Sequence, residues 1–370
     1  MFQLLYSRKI IEIPLFFLFF YSIIYLGDKM KKITINMLSS ADKVAGQGVG
    51  SAYQELIKLL KEDAKDIFDI YINKGTKFDI LHAHTVDPIN YIKLKLTKGK
   101  KVVYVHFLPT TLDGSIKLPK LFFKIFKWYV IKFYKLADKL VVVNPSFMKE
   151  MVENGLDKDK IVYIPNFVSR EQFHPLSDKE KVSIRKKYGY DKNDFIVLGA
   201  GQVQTRKGVM DFVEVAKKMP DVKFVWAGGF SFGAITDGHE ELKKVMENPP
   251  KNVNFIGIVS RDEMNNLFNM SNVLFVPSYN ELFPMTILES TNCHIPLLLR
   301  GLELYEDILF KKYPKGNNNE QFIEELTKLK DDKKYYNEQI KNSAFISDFY
   351  TKEHVLEMWK EFYTGIVKED

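Results

Sequence analysis

Residues 194–229 read DFIVLGAGQVQTRKGVMDFVEVAKKMPDVKFVWAGG, an apolar strand-like run, a helix-period segment and a second apolar run in direct succession. Strands that are apolar throughout, with a helix between them, predict a parallel sheet covered on both faces. The same alternation extends in both directions. Upstream, strands are predicted at 32–38, 67–73, 79–84, 101–107, 139–144 and 161–166. Downstream they follow at 222–229, 252–259, 272–278 and 295–300, with helical segments at 207–219, 240–248 and 261–270. The pattern restarts at Asp194 after a polar stretch rich in Lys, Asp and Ser (169–192). Two successive Rossmann-like units are expected, 30–168 and 169–346, with a ligand cleft between them. Residues from Gln321 onward read as helices only. The last of them, within 347–370, is expected to pack on a domain through Val355, Trp359 and Phe362.

The 370 residues suffice for two ordinary domains. The single cysteine, Cys293, excludes an internal disulfide framework and fits a reducing interior. A net charge of +7 with a pI near 9.0 calls for an anionic partner, whether nucleic acid, an anionic membrane or a phosphorylated substrate. Ile13–Leu26 is an apolar run of 14 residues, short of the ~18–20 that span a bilayer, and no small-residue cleavage site follows it. Residues 1–29 are therefore expected to be translated upstream sequence before a start at Met30, a membrane-dipping anchor being the alternative.

Four places carry chemistry. Gly46, Gly48 and Gly50 form a glycine-rich loop between the first strand and a helix, where backbone N–H groups approach a phosphate. The spacing is not that of the dinucleotide fingerprint. In GQVQTRKG (201–208), Arg206 and Lys207 stand at the mouth of a strand, and adjacent cations there suit a diphosphate whose charge rises as it leaves. In NELFPMTILES (280–290), Glu281 lies in a loop and Glu289, eight residues on, one to two turns into a helix. Carboxylates so placed accept hydrogen bonds from sugar or ribose hydroxyls, although acidic residues at a helix start also serve as simple caps. His82 and His84 share a face at a strand end with no clear third metal ligand, so no metal site is predicted. His106 ends the next strand at the expected cleft, as a substrate contact or a satisfied core histidine.

Lys117–Leu140 interleaves lysines with aromatic and aliphatic residues. On a helix its lysines fall within an arc of roughly 140°. Phe122, Phe126, Tyr129, Val130 and Phe133 are expected to pack on the first sheet, while Leu121, Trp128 and Ile131 project among the lysines. A face with Lys120, Lys124, Lys127, Trp128 and Ile131 suits reversible docking on an anionic bilayer, a solvated basic face being the plainer reading. Nucleic acid is disfavoured, since the cations beside these aromatics are lysines rather than arginine forks.

Together, GQGVGSA (46–52), VHFLP (105–109), ADKLVVVNPSF (137–147), IPNF (164–167), TRKG (205–208) and the Glu281–Glu289 pair resemble the retaining glycosyltransferases of family 4, which have the GT-B fold. The resemblance covers Met30–Asp370. Residues 201–233 and 279–290 are most similar to one branch, the bacterial 1,2-diacylglycerol 3-glucosyltransferases. It implies an α/β chain with two Rossmann-like domains facing across a cleft, UDP-glucose as donor and diacylglycerol as acceptor. The product would be α-linked, made at the cytoplasmic face of the membrane by a peripheral enzyme. No tightly bound cofactor is implied, Mg2+ being at most a stimulant.

Carried onto this chain, Gly48 approaches the donor diphosphate, His106 the sugar, Lys207 the diphosphate, Glu281 the sugar hydroxyls and Glu289 the ribose. Backbone N–H groups of Phe283, Met285 and Thr286 complete the phosphate cradle. Gln202 stands where many relatives have arginine, a charge that Arg206 is expected to supply. Leu282 replaces a usual glycine beside the sugar, which leaves the hexose open between glucose and galactose. A UDP-galactose enzyme, one extending a glycolipid that already bears a sugar, and a non-catalytic anionic-lipid-binding protein are the alternatives.

Overall fold

A computed structural model describes residues 31–40, 48–108, 120–230, 237–281 and 285–369. Residues 1–29, Gly46, Leu282 and Phe283 therefore lie outside the described residues. The first half runs β1 (Ile33–Leu38), α1 (Gly48–Asp63), β2 (Phe68–Ile72), β3 (Ile80–Ala83), α2 (Pro88–Leu96), β4 (Lys100–Val105), α3 (Lys120–Tyr134), β5 (Lys139–Val142), α4 (Phe147–Glu153) and β6 (Ile161–Tyr163). The second runs α5 (Asp178–Lys187), β7 (Ile196–Ala200), α6 (Val209–Lys218), β8 (Lys223–Ala227), α7 (His239–Glu247), β9 (Val253–Gly257), α8 (Arg261–Met270), β10 (Val273–Val276), α9 (Met285–Asn292), β11 (Leu297–Arg300), α10 (Leu304–Ile308) and β12 (Lys315–Gly316). Helices α11 (Asn319–Asp331), α12 (Lys333–Phe349) and α13 (Lys352–Lys368) follow.

Each half is a six-stranded sheet, ordered β2-β1-β3-β4-β5-β6 and β12-β11-β10-β7-β8-β9, and every ladder within them is parallel. The chain is thus an α/β protein of two Rossmann-like domains. All eleven predicted strands are present. The two-residue β12 and helix α5 inside the polar linker were not predicted. Helix α5 has no fully buried side chain; it begins with a reciprocal Ser177–Glu180 capping box and lies against α8, where Ile184 packs on the core and Arg185 Nε donates to the Met270 carbonyl at 2.8 Å.

In each sheet the strand order reverses once, between β1 and β3 and between β7 and β10. Neighbouring connections there leave on opposite faces and open a crevice at the carboxyl ends of the strands. Gly48 and Gly50, expected in a loop, instead open α1, which follows β1; His84 follows β3, while Lys207 and Glu281 follow β7 and β10. Topology therefore collects the quoted motifs at two crevices.

Helix α13 crosses back from the second half. Its Val355, Trp359, Tyr363 and Ile366 are buried in the core of the first domain, with Phe362 partly covered. Each such side chain removed from water is worth about 1.5–3 kcal/mol.

Helix α3 packs through Val130, Phe133 and Tyr134, with Phe126 and Tyr129 at the margin. Two expectations are corrected here. Phe122, assigned to the packing side, is 63% exposed, and Ile131, assigned to the projecting side, is half-buried. Among the described residues, the first side chain of the helix packed on this core is Phe126, stacked on Phe107 at 6.3 Å. Leu121, Phe122, Ile125 and Trp128 are all exposed.

Candidate functional site

The loop after β7 is built by glycines. Gly208 adopts a left-handed φ of 69°, ending the 3-10 turn Thr205–Lys207 and starting α6. A Cβ there would stand 2.3 Å from the Pro277 carbonyl at the end of β10. Gly228 backs onto Gly201 so closely that a Cβ would meet the Gly201 carbonyl oxygen. The first approach holds the 205–207 turn against the loop after β10, and the second holds the end of β8 against the end of β7.

Hydrogen bonds complete the join. The Tyr279 N–H donates to the Arg206 carbonyl at 2.8 Å, and Arg206 Nη1 donates to the Asn280 carbonyl at 2.9 Å. Lys207 Nζ then lies 2.5 Å from Glu281 Oε1, and Arg206 Nη1 lies 3.8 Å from Glu281 Oε2. Burial alone would raise the Glu281 pKa, but Lys207 and Arg206 hold its carboxyl below the usual range. Burial pulls the Lys207 ammonium down, against the opposing charge of Glu281. Gln202, beside them, accepts a hydrogen bond from Gln204 at 2.7 Å. Two cations and one carboxylate in a nearly dry pocket can compensate charge gathering on a departing phosphate and still accept hydroxyl hydrogens.

Glu289 lies on the second turn of α9, with Met285 and Thr286 opening that helix. It is buried, and Arg261 Nε of α8 approaches it to 3.7 Å. The same guanidinium reaches Glu55 of α1 at 2.9 Å, so one arginine joins carboxylates of both domains. Burial pushes the Glu289 carboxyl up to about 7; Arg261 opposes the rise and Glu55 adds to it. Burial raises Glu55 as well, Arg261 again opposing.

His106 follows β4 and is buried, with its Nε2 3.2 Å from His84 Nδ1. Behind them, His82 Nδ1 lies 2.7 Å from the hydroxyl of Tyr363 on α13. Burial pulls His106 down to about 3 and the other two well below their usual value, so all three rings are neutral. Among the described residues no group of three potential ligands could hold a metal ion.

Three assemblies thus form: Arg206–Lys207–Glu281, Glu55–Arg261–Glu289 and His82–His84–His106. The seam between domains links them. Helix α1 packs on α9. Asn144, just beyond β5, donates to the carbonyl of Leu304 at 3.0 Å. The adjacent Tyr305 is buried, and its hydroxyl is raised well above its usual value by burial and by the charge of Glu281. Glu55, Arg261 and Tyr305 escaped sequence reasoning because their partners are remote in the chain, and their own neighbourhoods read as ordinary helix.

The model for "Glycosyl transferases group 1" matches residues 180–344, and that for "Glycosyltransferase Family 4" matches 51–172. The alpha-galactosylglucosyldiacylglycerol synthase of Streptococcus pneumoniae is 46% identical over 335 residues, 90% of each chain. The processive diacylglycerol alpha-glucosyltransferase of Acholeplasma laidlawii is 28% identical over 345 residues, 92% of this chain and 96% of that one. Among solved structures, Anabaena Alr3699/HepE in complex with UDP and glucose superposes with a TM-score of 0.73 at 13% identity, covering 90% of this chain and 99% of that one. Sucrose-phosphate synthase from Thermosynechococcus elongatus gives 0.75 at 13% identity, over 92% and 100%. At such identities these two likenesses establish the GT-B fold. The chain belongs to the group 1, family 4 glycosyltransferases. It is an enzyme that transfers a glycosyl group.

Proposed function

We propose that this enzyme adds an α-linked galactosyl group from UDP-galactose to a glucosyl-diacylglycerol at a membrane surface. The observation that carries the reading is the 46% identity, spread over 90% of both chains, to a synthase whose name states a galactosyl-glucosyl lipid. The glucosyltransferase of diacylglycerol is markedly less similar, at 28%. The glycolipid-extending alternative is therefore favoured over the first expectation, glucose placed directly on diacylglycerol.

Transfer would proceed with retention, as the family 4 resemblance implies. Lys207 and Arg206 would neutralise the donor diphosphate while the sugar–phosphate bond breaks. Glu281 would hold sugar hydroxyls, Glu289 the ribose, and His106 the donor sugar. The acceptor oxygen bonds to the anomeric carbon on the face that the phosphate leaves, and its proton passes to the departing phosphate. Gly48, Gln202, Met285 and Thr286 would line the nucleotide's path, with Phe283 assigned by the resemblance alone.

Exposed Leu121, Phe122, Ile125 and Trp128 on α3, together with Lys124 and Lys132, support peripheral docking. Lys132 Nζ sits 4.5 Å over the Trp128 ring. The neighbouring α2, which touches α3 through Tyr91 and Tyr129, exposes Ile89, Ile92 and Leu96. Among the described residues no helix is long and apolar enough to cross a membrane.

The test is a two-by-two assay in mixed micelles: UDP-galactose or UDP-glucose as donor, diacylglycerol or glucosyl-diacylglycerol as acceptor, with product linkages determined. Preferred transfer of galactose to the glucosylated lipid is expected. Preferred transfer of glucose to diacylglycerol would overturn the reading.

A further inference from the structure

The three contacting histidines behind the cleft hold more information than a single substrate contact needs. His84 is enclosed by rings. His82 lies 4.2 Å away, Tyr53 4.9 Å and Tyr104 5.4 Å, the last two edge-on, with His106 at 5.5 Å. Tyr53 belongs to α1 and Tyr104 to β4, so the imidazole is locked between a helix and the sheet. Rotating it would require those rings to move.

Its two nitrogens are unlike. Nδ1 faces His106 Nε2 at 3.2 Å, whereas Nε2 is buried with no hydrogen-bond partner among the described residues. A bond between two imidazole nitrogens needs one N–H and one lone pair. If His106 donated, His84 would carry its own proton on Nε2, leaving a buried N–H without an acceptor. Orphaned buried N–H groups are rarer than under-satisfied acceptors. If His84 donates from Nδ1, its Nε2 keeps only an unmet lone pair. His106 then accepts at Nε2 and carries its proton on Nδ1. A protonated ring is disfavoured, because burial opposes charge and, among the described residues, no carboxylate contributes to the cluster.

We propose that His84 is a positioning residue that fixes His106 as the Nδ1–H tautomer, so that His106 meets a donor-sugar oxygen as a neutral hydrogen-bond donor rather than as an acid or base. The sugar contact rests on the role given to His106 above; the tautomer does not.

With seven histidines in the chain, the full-length protein labelled with 15N-histidine is suited to long-range 1H–15N correlation, which separates the two neutral tautomers. The His106 signals are assigned by their loss in His106→Gln. In the wild type, His106 is expected as Nδ1–H. His84→Phe should abolish that preference and lower turnover about tenfold or more, as loss of an aligned donor does. His84→Asn, whose amide N–H falls near the place of Nδ1–H, should restore both. An Nε2–H His106 in the wild type, or an unchanged tautomer in folded His84→Phe, would overturn the proposal. The wild-type spectrum decides even if His84→Phe does not fold. Full turnover in His106→Ala would instead remove the sugar contact and leave the tautomer assignment standing.

Discussion

Lys207 Nζ and Glu281 Oε1 are 2.5 Å apart, with only 13% and 6% of their side chains exposed. Breaking a buried pair on one side leaves the survivor uncompensated, at a cost of about 3–5 kcal/mol, whereas replacing both partners by neutral groups costs far less. Lys207→Ala and Glu281→Ala should each reduce turnover at least about tenfold. The doubly neutral Lys207→Met/Glu281→Gln should melt closer to the wild type than either single change, and remain inactive. Parallel thermal melts and turnover assays separate the two effects; a double variant less stable than both singles would show that the pair is not mutually compensating.

Glu289 provides a pH dependence. With its carboxyl at about 7, the group is mostly ionised at pH 8 and mostly protonated at pH 6. Only the ionised form is acceptor-only toward ribose hydroxyls. UDP-hexose affinity should fall about tenfold from pH 8 to pH 6, the change in ionised fraction for such a group. Calorimetric titration at the two values, with Glu289→Gln as the pH-insensitive control, checks this. The stability sign is opposite. A carboxyl whose folded pKa is raised opposes folding when ionised, so its penalty fades as pH falls from about 7 toward the ordinary carboxylate value.

Arg261 lowers the Glu289 pKa. Arg261→Met should move the midpoint of that binding profile to higher pH, beyond its wild-type position. Glu55→Gln should move it down, since Glu55 contributes to the rise. Profiles that shift in the same direction for both variants would contradict the bridge.

Gly208→Ala places a side chain at φ 69° and 2.3 Å from the Pro277 carbonyl. Backbone strain of this kind costs about 1–3 kcal/mol. A lowered melting temperature should be accompanied by lost turnover, because the same turn carries Lys207.

Lys120→Glu, Lys124→Glu and Lys127→Glu together should weaken binding to anionic liposomes on the order of a hundredfold, at roughly 1 kcal/mol per lysine. Sedimentation with anionic and with neutral vesicles reads it. Undiminished binding would rule out α3 as the docking surface.

The strands were legible because each is a short, nearly continuous apolar run, as burial on both faces demands. Strand β12 has two residues, Lys315 and Gly316, and no such run. Helix α5 lacks an apolar face, so no periodicity announces it. Phe122 was misplaced because angular position on a helix does not reveal where the neighbouring core ends. Lys207 and Glu281 could be placed at strand mouths, but their contact depends on β7 and β10 being adjacent, which no local pattern encodes. The same holds for Glu55, Arg261 and Glu289.

Helix α13, made after the whole second domain, supplies Trp359 and Tyr363 to the core of the first. During synthesis the first domain must wait, its core open over β3 and the His82 side chain lacking the Tyr363 hydroxyl, until that helix leaves the ribosome. Domain-by-domain completion, the usual order for a growing chain, is thus denied to this one. Its first half is finished only after the second has been made.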